Sequence, residues 1–360
     1  SAAAVAAAPQ RGGATSSQGA SGVHSPSKPR RPADAARPLV EGSDFTVFRR
    51  AGDVSSPLGP EGPTPAAHSA TLSEALEAIA SSRWDGAEGE VGAPSVVLLG
   101  EVHDDVVAHR LQLQVLKHCA EICQTQGRRL VLSLEMFESD VQRVLDEYVL
   151  DGVIREQDML QDARPWSSYA DDYRPMVEFC KAATAAGGLA GGLRVVAANA
   201  PRRYVSLVAR GGSAALDRLL EGAIDVAAAR ALVPPLPLPP PSAAYRQKFE
   251  ETLSSQMPPP DQASGSCPYI GFSSQAVREG RPEMLEAQLL WDHSMAQSIA
   301  SALREGGAEG QADEGPPPLV LHICGAFHCA HGLGIPEALP LYGGFAGFSS
   351  AGGKRRPGAP

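Results

Sequence analysis

The stretch PLVLHICGAFHCAHGLGIP, residues 318–336, decides how this chain is read. It opens as a short run that is apolar apart from His322, turns at Gly325, and delivers His328 three residues later. A compact run of this kind suits a strand buried on both faces of a parallel sheet. The glycine lets the backbone turn sharply as it leaves the sheet, so the histidine can point back over the strand end.

Three earlier runs have the same character: PSVVLLG (94–100), RLVLSLE (129–135) and LRVVAAN (193–199). Between and around these four runs, helical spacing predicts helices over 106–125, 139–150, 172–186 and 282–304. Strands alternating with helices predict an α/β fold, mainly a parallel β-sheet layered by helices. TLSEALEAIASS (71–82) predicts a further helix, opened by a Thr71/Glu74 capping box, and DFTVF (44–48) a short strand before it.

Ligands of an open α/β sheet bind beyond the carboxyl ends of its strands. The first run leads into GEVHDD (100–105), with Glu101 and His103; the second ends on Glu135. The third leads into Asn199, Arg202, Arg203 and Tyr204, and the fourth into Gly325 and His328. GEVH and GAFH are two copies of strand–GxxH. Either imidazole alone is read more simply as a helix cap or a satisfied core donor. The pair together with Glu135 reads as a functional rim, because two neutral imidazoles and a carboxylate suit a borderline divalent metal such as zinc or manganese. His322 shares a face with Val320 and Cys324, and is read as structural. His331 is offered as a partner for His328, while His109 either reaches the rim or is solvated. On the amphipathic helix holding Leu289, Leu290, Met295 and Ile299, Asp292 is the polar exception, next to His293. Cys119 and Cys123 lie four apart on an apolar stripe, which favours packing over ligation.

Composition bounds the rest. The 360 residues carry a net charge of −10, which argues against a general nucleic-acid binder. No run approaches the roughly 18 apolar residues that a membrane span needs. The six cysteines include no CxxC pair, and a reducing compartment suits them. Residues 1–43 read as a disordered or transit-like leader, rich in Ala, Ser, Gly, Pro and Arg, with Asp34 the one acidic residue among the first 40. That composition points to a plastid, or to a mitochondrion. One domain is expected over 44–346. Within it, 233–268 is a Pro-rich insertion or lid around AAYRQKFEETLSS (243–255), and 347–360 form a flexible tail.

The blocks GEVHDD, LSLEMFESDVQ (132–142), WSSYADDYRPMVEFC (166–180), AANAPRRYVSLVARGG (197–212), LLWDHSMAQSI (289–299) and GAFHCAHGLGIP (325–336) resemble the ChaN-type haem-binding domain. This domain is also found in plant and algal plastid proteins, and it groups with erythromycin-esterase-like and Tiki-type proteins. The resemblance spans about residues 44–346, with the blocks in order and 233–268 departing from the pattern. It implies a haem- or tetrapyrrole-binding protein whose iron is held by a tyrosine at the interface of a homodimer. Tyr148, Tyr169, Tyr173, Tyr204 and Tyr245 all remain open for that role, with Arg174, Arg202 and Arg203 as cations for the propionates. The Tiki-type relatives imply an alternative. That is a metal-dependent hydrolase of a peptide or small-molecule ligand, with His103, Glu135 and His328 holding the metal and Glu101 as acid/base.

Overall fold

The computed structural model describes residues 2–5, 7–8, 46–50, 67–80, 96–256, 282–304 and 316–342. Most of the expected leader, the second Pro-rich stretch of the insertion, the tail and Cys267 lie outside the described residues. In chain order the strands are β1 (Ala2–Val5), β2 (Ala7–Ala8), β3 (Thr46–Arg50), β4 (Ala67–Ala70), β5 (Val96–Glu101), β6 (Leu130–Glu138), β7 (Leu193–Asn199) and β8 (Leu319–Gly325). The helices are α1 (Leu72–Ala80), α2 (Val106–Gln126), α3 (Gln142–Val149), α4 (Glu156–Ala163), α5 (Tyr169–Asp172), α6 (Arg174–Ala185), α7 (Arg202–Gly211), α8 (Ser213–Glu221), α9 (Val226–Ala231), α10 (Ala243–Gln256), α11 (Pro282–Arg304) and α12 (Ile335–Tyr342).

All four apolar runs are strands of one parallel sheet, ordered β1-β5-β8-β6-β7. Its edge strand β1 falls within the segment expected to be disordered, where a short Ala/Val run pairs in parallel with β5. β2, β3 and β4 form a separate antiparallel sheet. The expected helices are present, and α1 carries its capping box. The Thr71 N–H donates to Glu74 at 2.7 Å, and the Glu74 N–H to Thr71 Oγ1 at 3.1 Å.

Alternation along the strands splits the core in two, as a doubly covered sheet requires. On one face Val97, Leu99, Leu132, Leu134 and Leu321 meet Leu116 and Cys119 of α2 and Met176 and Val177 of α6. On the other, Val96, Leu98, Val131, Val196 and Val320 meet Met295 and Ile299 of α11 and Leu339 of α12. Cys119 and Cys123 are buried in the first layer, where the sequence placed them by packing. A third cluster joins α7, α8, α10 and α11 through Val205, Leu216, Phe249 and Met284. Hence the helix between the proline-rich stretches is an integral packing element. α4 and α7–α9 were not expected as helices. Each is short, and α4 turns only Met159 and Ala163 inward, too few apolar positions for a periodic signal.

His322 lies fully buried in β8, with Nδ1 2.8 Å from Ser133 Oγ on β6. Burial pushes its imidazole down to about 3, so the folded protein holds it neutral. Above an ordinary histidine pKa near 6.5 neither state binds this proton; between 6.5 and 3 only the unfolded chain takes it up, and stability falls. In His322→Gln, the denaturant midpoint will therefore drop less between pH 7 and 5 than in the native protein. Equal drops would show that His322 is not an acid-sensitive group.

Candidate functional site

The site stands at the carboxyl ends of the two adjacent strands β5 and β8, where Glu101 pairs in register with Gly325. After β5 the chain turns through His103 to Asp105. That aspartate caps α2 by accepting from the N–H groups of Val107 and Ala108 at 2.8 and 3.2 Å, fixing the exit path of the GEVH loop. On β6 the pairing with β7 becomes irregular between Leu134 and Glu138, the stretch that holds Glu135. Local breaks in a ladder re-aim side chains at such positions. Glu135 turns to β8, where Oε2 accepts the Gly325 N–H at 2.7 Å and Oε1 stands 3.5 Å from His328 Nε2. Gly325 leaves just enough room between the two imidazoles. A Cβ there would sit 3.0 Å from His103 Nε2 and 3.6 Å from His328 Cδ2.

Each GxxH imidazole is held from behind by a buried carboxylate and a tyrosine. His103 Nδ1 is 2.9 Å from Glu101 Oε1, which also accepts a short hydrogen bond from the Tyr173 hydroxyl; Gln112 Nε2 donates to Glu101 Oε2 at 2.6 Å. His328 Nδ1 is 2.6 Å from Asp292 Oδ1, and the Tyr245 hydroxyl donates to Asp292 Oδ2. In both arms Nδ1 is engaged and Nε2 faces Gly325 and Glu135. His109 also reaches the first arm, 3.4 Å from Glu101 Oε2 and 3.0 Å from the His103 carbonyl oxygen.

The electrostatics follow from these contacts. Burial alone would lower His328, but the charges of Glu135 and Asp292 outweigh it and raise the imidazole to about 10. Burial alone would raise Glu135, but His328, His103 and the Gly325 N–H bring it down to about 2. In this arrangement the pair is a buried imidazolium and carboxylate. Burial is likewise overcome at His103, which Glu101 and Glu135 raise, and at Glu101, which His103, His109 and Tyr173 lower. The opening lies on the His103 side, where the side chain is 36% exposed against 9% for His328. Trp166 stands edge-on to His103 at 4.8 Å between ring centroids, and Trp291 edge-on to His328 at 6.5 Å.

Glu101, His103, Glu135, His328 and Tyr173 are thus brought together. Other residues singled out in the sequence go elsewhere. Asn199 accepts from the Ala200 N–H, Arg174 pairs with Glu156 of α4 at 2.5 Å, and Arg202, Arg203 and Tyr204 lie on the first turn of α7. His331 takes a left-handed backbone conformation, φ 65°, in the Gly-rich turn, and the Nδ1 partner of His328 is Asp292. His293 bonds the Tyr342 hydroxyl at 2.6 Å. The residues not anticipated as functional are Asp292, Gln112 and the placement of Tyr245. For Asp292 a signal existed: it is the lone carboxylate within the apolar stripe of α11. Among the described residues, no three His, Cys, Asp or Glu side chains are already converged as a set of metal ligands.

A family model described as haem-binding uptake, Tiki superfamily, ChaN matches residues 89–339 of this chain. A solved structure, that of ChaN from Campylobacter jejuni with cofacially bound haem, aligns at 15% identity and a TM-score of 0.48, over 84% of this chain and 88% of that one. No curated protein matches. Among the described residues, no helix is long and apolar enough to cross a membrane.

Proposed function

The chain belongs to the ChaN family of haem-binding uptake proteins in the Tiki superfamily, and on that premise we propose that it binds haem with the Tyr204 phenol as iron ligand. The observation that carries this is exposure. Tyr148, Tyr173 and Tyr245 direct their hydroxyls to Glu178, Glu101 and Asp292, and Tyr169 is only 2% exposed. Burial pushes all four phenols up, which works against the phenolate that iron prefers. Tyr204 is half-buried on α7, with the Arg203 guanidinium 4.5 Å from its ring centroid and Arg202 exposed beside it. Arg203 is itself paired with Asp140 at 2.5 Å, so on this helical turn the phenol and the exposed Arg202 are the groups that suit an iron and a propionate. Of the other cofactor candidates, Tyr173 belongs to the His103 arm and Arg174 is committed to Glu156. A ligand on the outer surface covers one face of the porphyrin, and a second copy of the chain would cover the other, as a homodimer.

Hemin titration of tag-free protein tests the assignment. We expect a saturable Soret shift that survives His103→Ala and His328→Ala and is lost in Tyr204→Phe. A shift retained in Tyr204→Phe moves the ligand elsewhere.

A second reading is favoured by one observation: both GxxH imidazoles give Nδ1 to carboxylates. That arrangement orients a histidine whose Nε2 binds metal. The donor set suits a divalent ion such as zinc or manganese, held by His103, His328 and Glu135. Bound there, the ion would supply Lewis acidity toward a carbonyl or water for hydrolysis. Glu101, with its oxygens accepting from Tyr173 and Gln112 and engaging His103, would orient that histidine. Metal that co-purifies and is lost in both histidine variants would support this reading. For location, the Arg- and Ser-containing first 40 residues, with Asp34 as their one acid, support import into a plastid, as in plant and algal members, or into a mitochondrion.

A further inference from the structure

The helix between the proline-rich stretches enters the site from outside the sheet. Tyr245 of α10 is 1% exposed, and its hydroxyl donates to Asp292 Oδ2, the carboxylate whose other oxygen holds His328 Nδ1. About one turn further along α10, Lys248 Nζ donates to the Phe327 carbonyl at 2.7 Å and lies 3.5 Å from that of Ala330. The same ammonium stands 4.3 Å from the centroid of the Phe327 ring. α10 therefore grips both the carboxylate behind His328 and the backbone on either side of it.

The other arm shows what this grip is for. Tyr173 makes the same hydroxyl-to-carboxylate bond to Glu101, whose oxygen holds His103 Nδ1. Two unrelated stretches of chain thus each back an imidazole with a carboxylate and a tyrosine, but at Glu101 the tyrosine shares Oε1 with His103 Nδ1 and Gln112 takes Oε2, whereas at Asp292 the tyrosine itself takes the second oxygen. A carboxylate bonded only to an imidazole can turn about its Cβ–Cγ bond. A donor on its second oxygen, Gln112 at Glu101 and Tyr245 at Asp292, removes that freedom and keeps the Nδ1–H of the histidine pointed at one atom. Nε2 is then left for whatever enters the rim.

We propose that Tyr245 and Lys248 are positioning residues for His328, so that α10, within the segment expected to be an insertion or lid, completes the site as a buttress. The consequence for ligand binding rests on the metal reading of the rim; the positioning itself does not.

The test uses Co²⁺ as probe, read by its visible d–d spectrum, on the full chain carrying Tyr245→Phe or Lys248→Met. Loss of a partner behind a ligating histidine weakens metal binding by about 10- to 100-fold. We expect a loss in that range for Tyr245→Phe, with a changed spectrum, and a smaller loss for Lys248→Met. Tyr148→Phe removes a comparable tyrosine bond, to Glu178, and should leave the cobalt spectrum unchanged. Wild-type affinity and spectrum in both α10 variants would overturn the proposal. Should the native protein take up no Co²⁺, the metal reading falls and the positioning is judged from the His328 Nδ1 proton. Hydrogen-bonded to a buried carboxylate, that proton resonates far downfield. Its displacement and faster solvent exchange in Tyr245→Phe uphold the inference, and an unmoved resonance ends it. If Tyr245→Phe does not fold, Lys248→Met decides by the same readouts.

Discussion

Asp292→Ala will lower the unfolding free energy by about 3–5 kcal/mol, the cost of removing one member of a buried charged pair. Asp292 is 1% exposed and receives both the Tyr245 hydroxyl and the His328 Nδ1 proton. Without it, Tyr245 has a buried hydroxyl with no acceptor and His328 keeps its charge against Glu135 alone. The His328 pKa, held at about 10 by Glu135 and Asp292 against burial, must then fall. The sign is clear. A raised histidine pKa contributes stability that is complete below about 6.5 and lost as pH rises through 10, so the penalty of Asp292→Ala should be largest near neutral pH and shrink in alkali. Urea unfolding at pH 7 and pH 10 measures both. Asp292→Asn keeps a hydrogen-bonding group of the same size and should lose less. A loss under about 1 kcal/mol in Asp292→Ala would be typical of an exposed pair and would contradict the buried network.

Gly334→Ala is expected to cost about 2–4 kcal/mol, near the upper range for single substitutions. Two effects add. Gly334 has φ +80°, which an L side chain adopts only at a cost, and its Cβ would stand 2.6 Å from the His328 carbonyl oxygen and 3.2 Å from Asp292 Oδ1. Backbone that anchors a histidine of the site cannot give way without moving it. Gly152 separates the two effects: φ is +64° there, but nothing lies within 4 Å of an added Cβ. Gly152→Ala should cost only about 1 kcal/mol, for the backbone alone. Thermal melts of the two variants side by side give the comparison. Equal losses would mean that the crowding around Gly334 is relieved by relaxation.

How much of this was legible depends on what each feature demands of sequence. The four core strands are readable because burial on both faces leaves an unbroken apolar run, and His322 stands out as the imidazole inside one. The two GxxH loops and Glu135 are readable because they follow those runs directly. Asp292 was visible as an oddity in the stripe of α11, but periodicity does not say which atom a buried carboxylate meets, and His328 lies far along the chain. Tyr245 was obscured differently. Proline runs on both sides read as surface, yet α10 packs its own cluster between them. The five tyrosines could not be sorted from sequence, since what separates Tyr204 from Tyr148, Tyr169, Tyr173 and Tyr245 is exposure, a property of the assembled fold.

β8 is the last of the described strands in the chain, yet it lies between β5 and β6. A nascent chain emerging from the ribosome has nothing to join those two strands until residues 319–325 have been made. Until then two apolar strand edges stand bare, the condition under which partly made domains recruit chaperones or aggregate. A truncation upstream of β8 therefore removes more than one histidine: it leaves a split sheet, and its natural readout is solubility during synthesis.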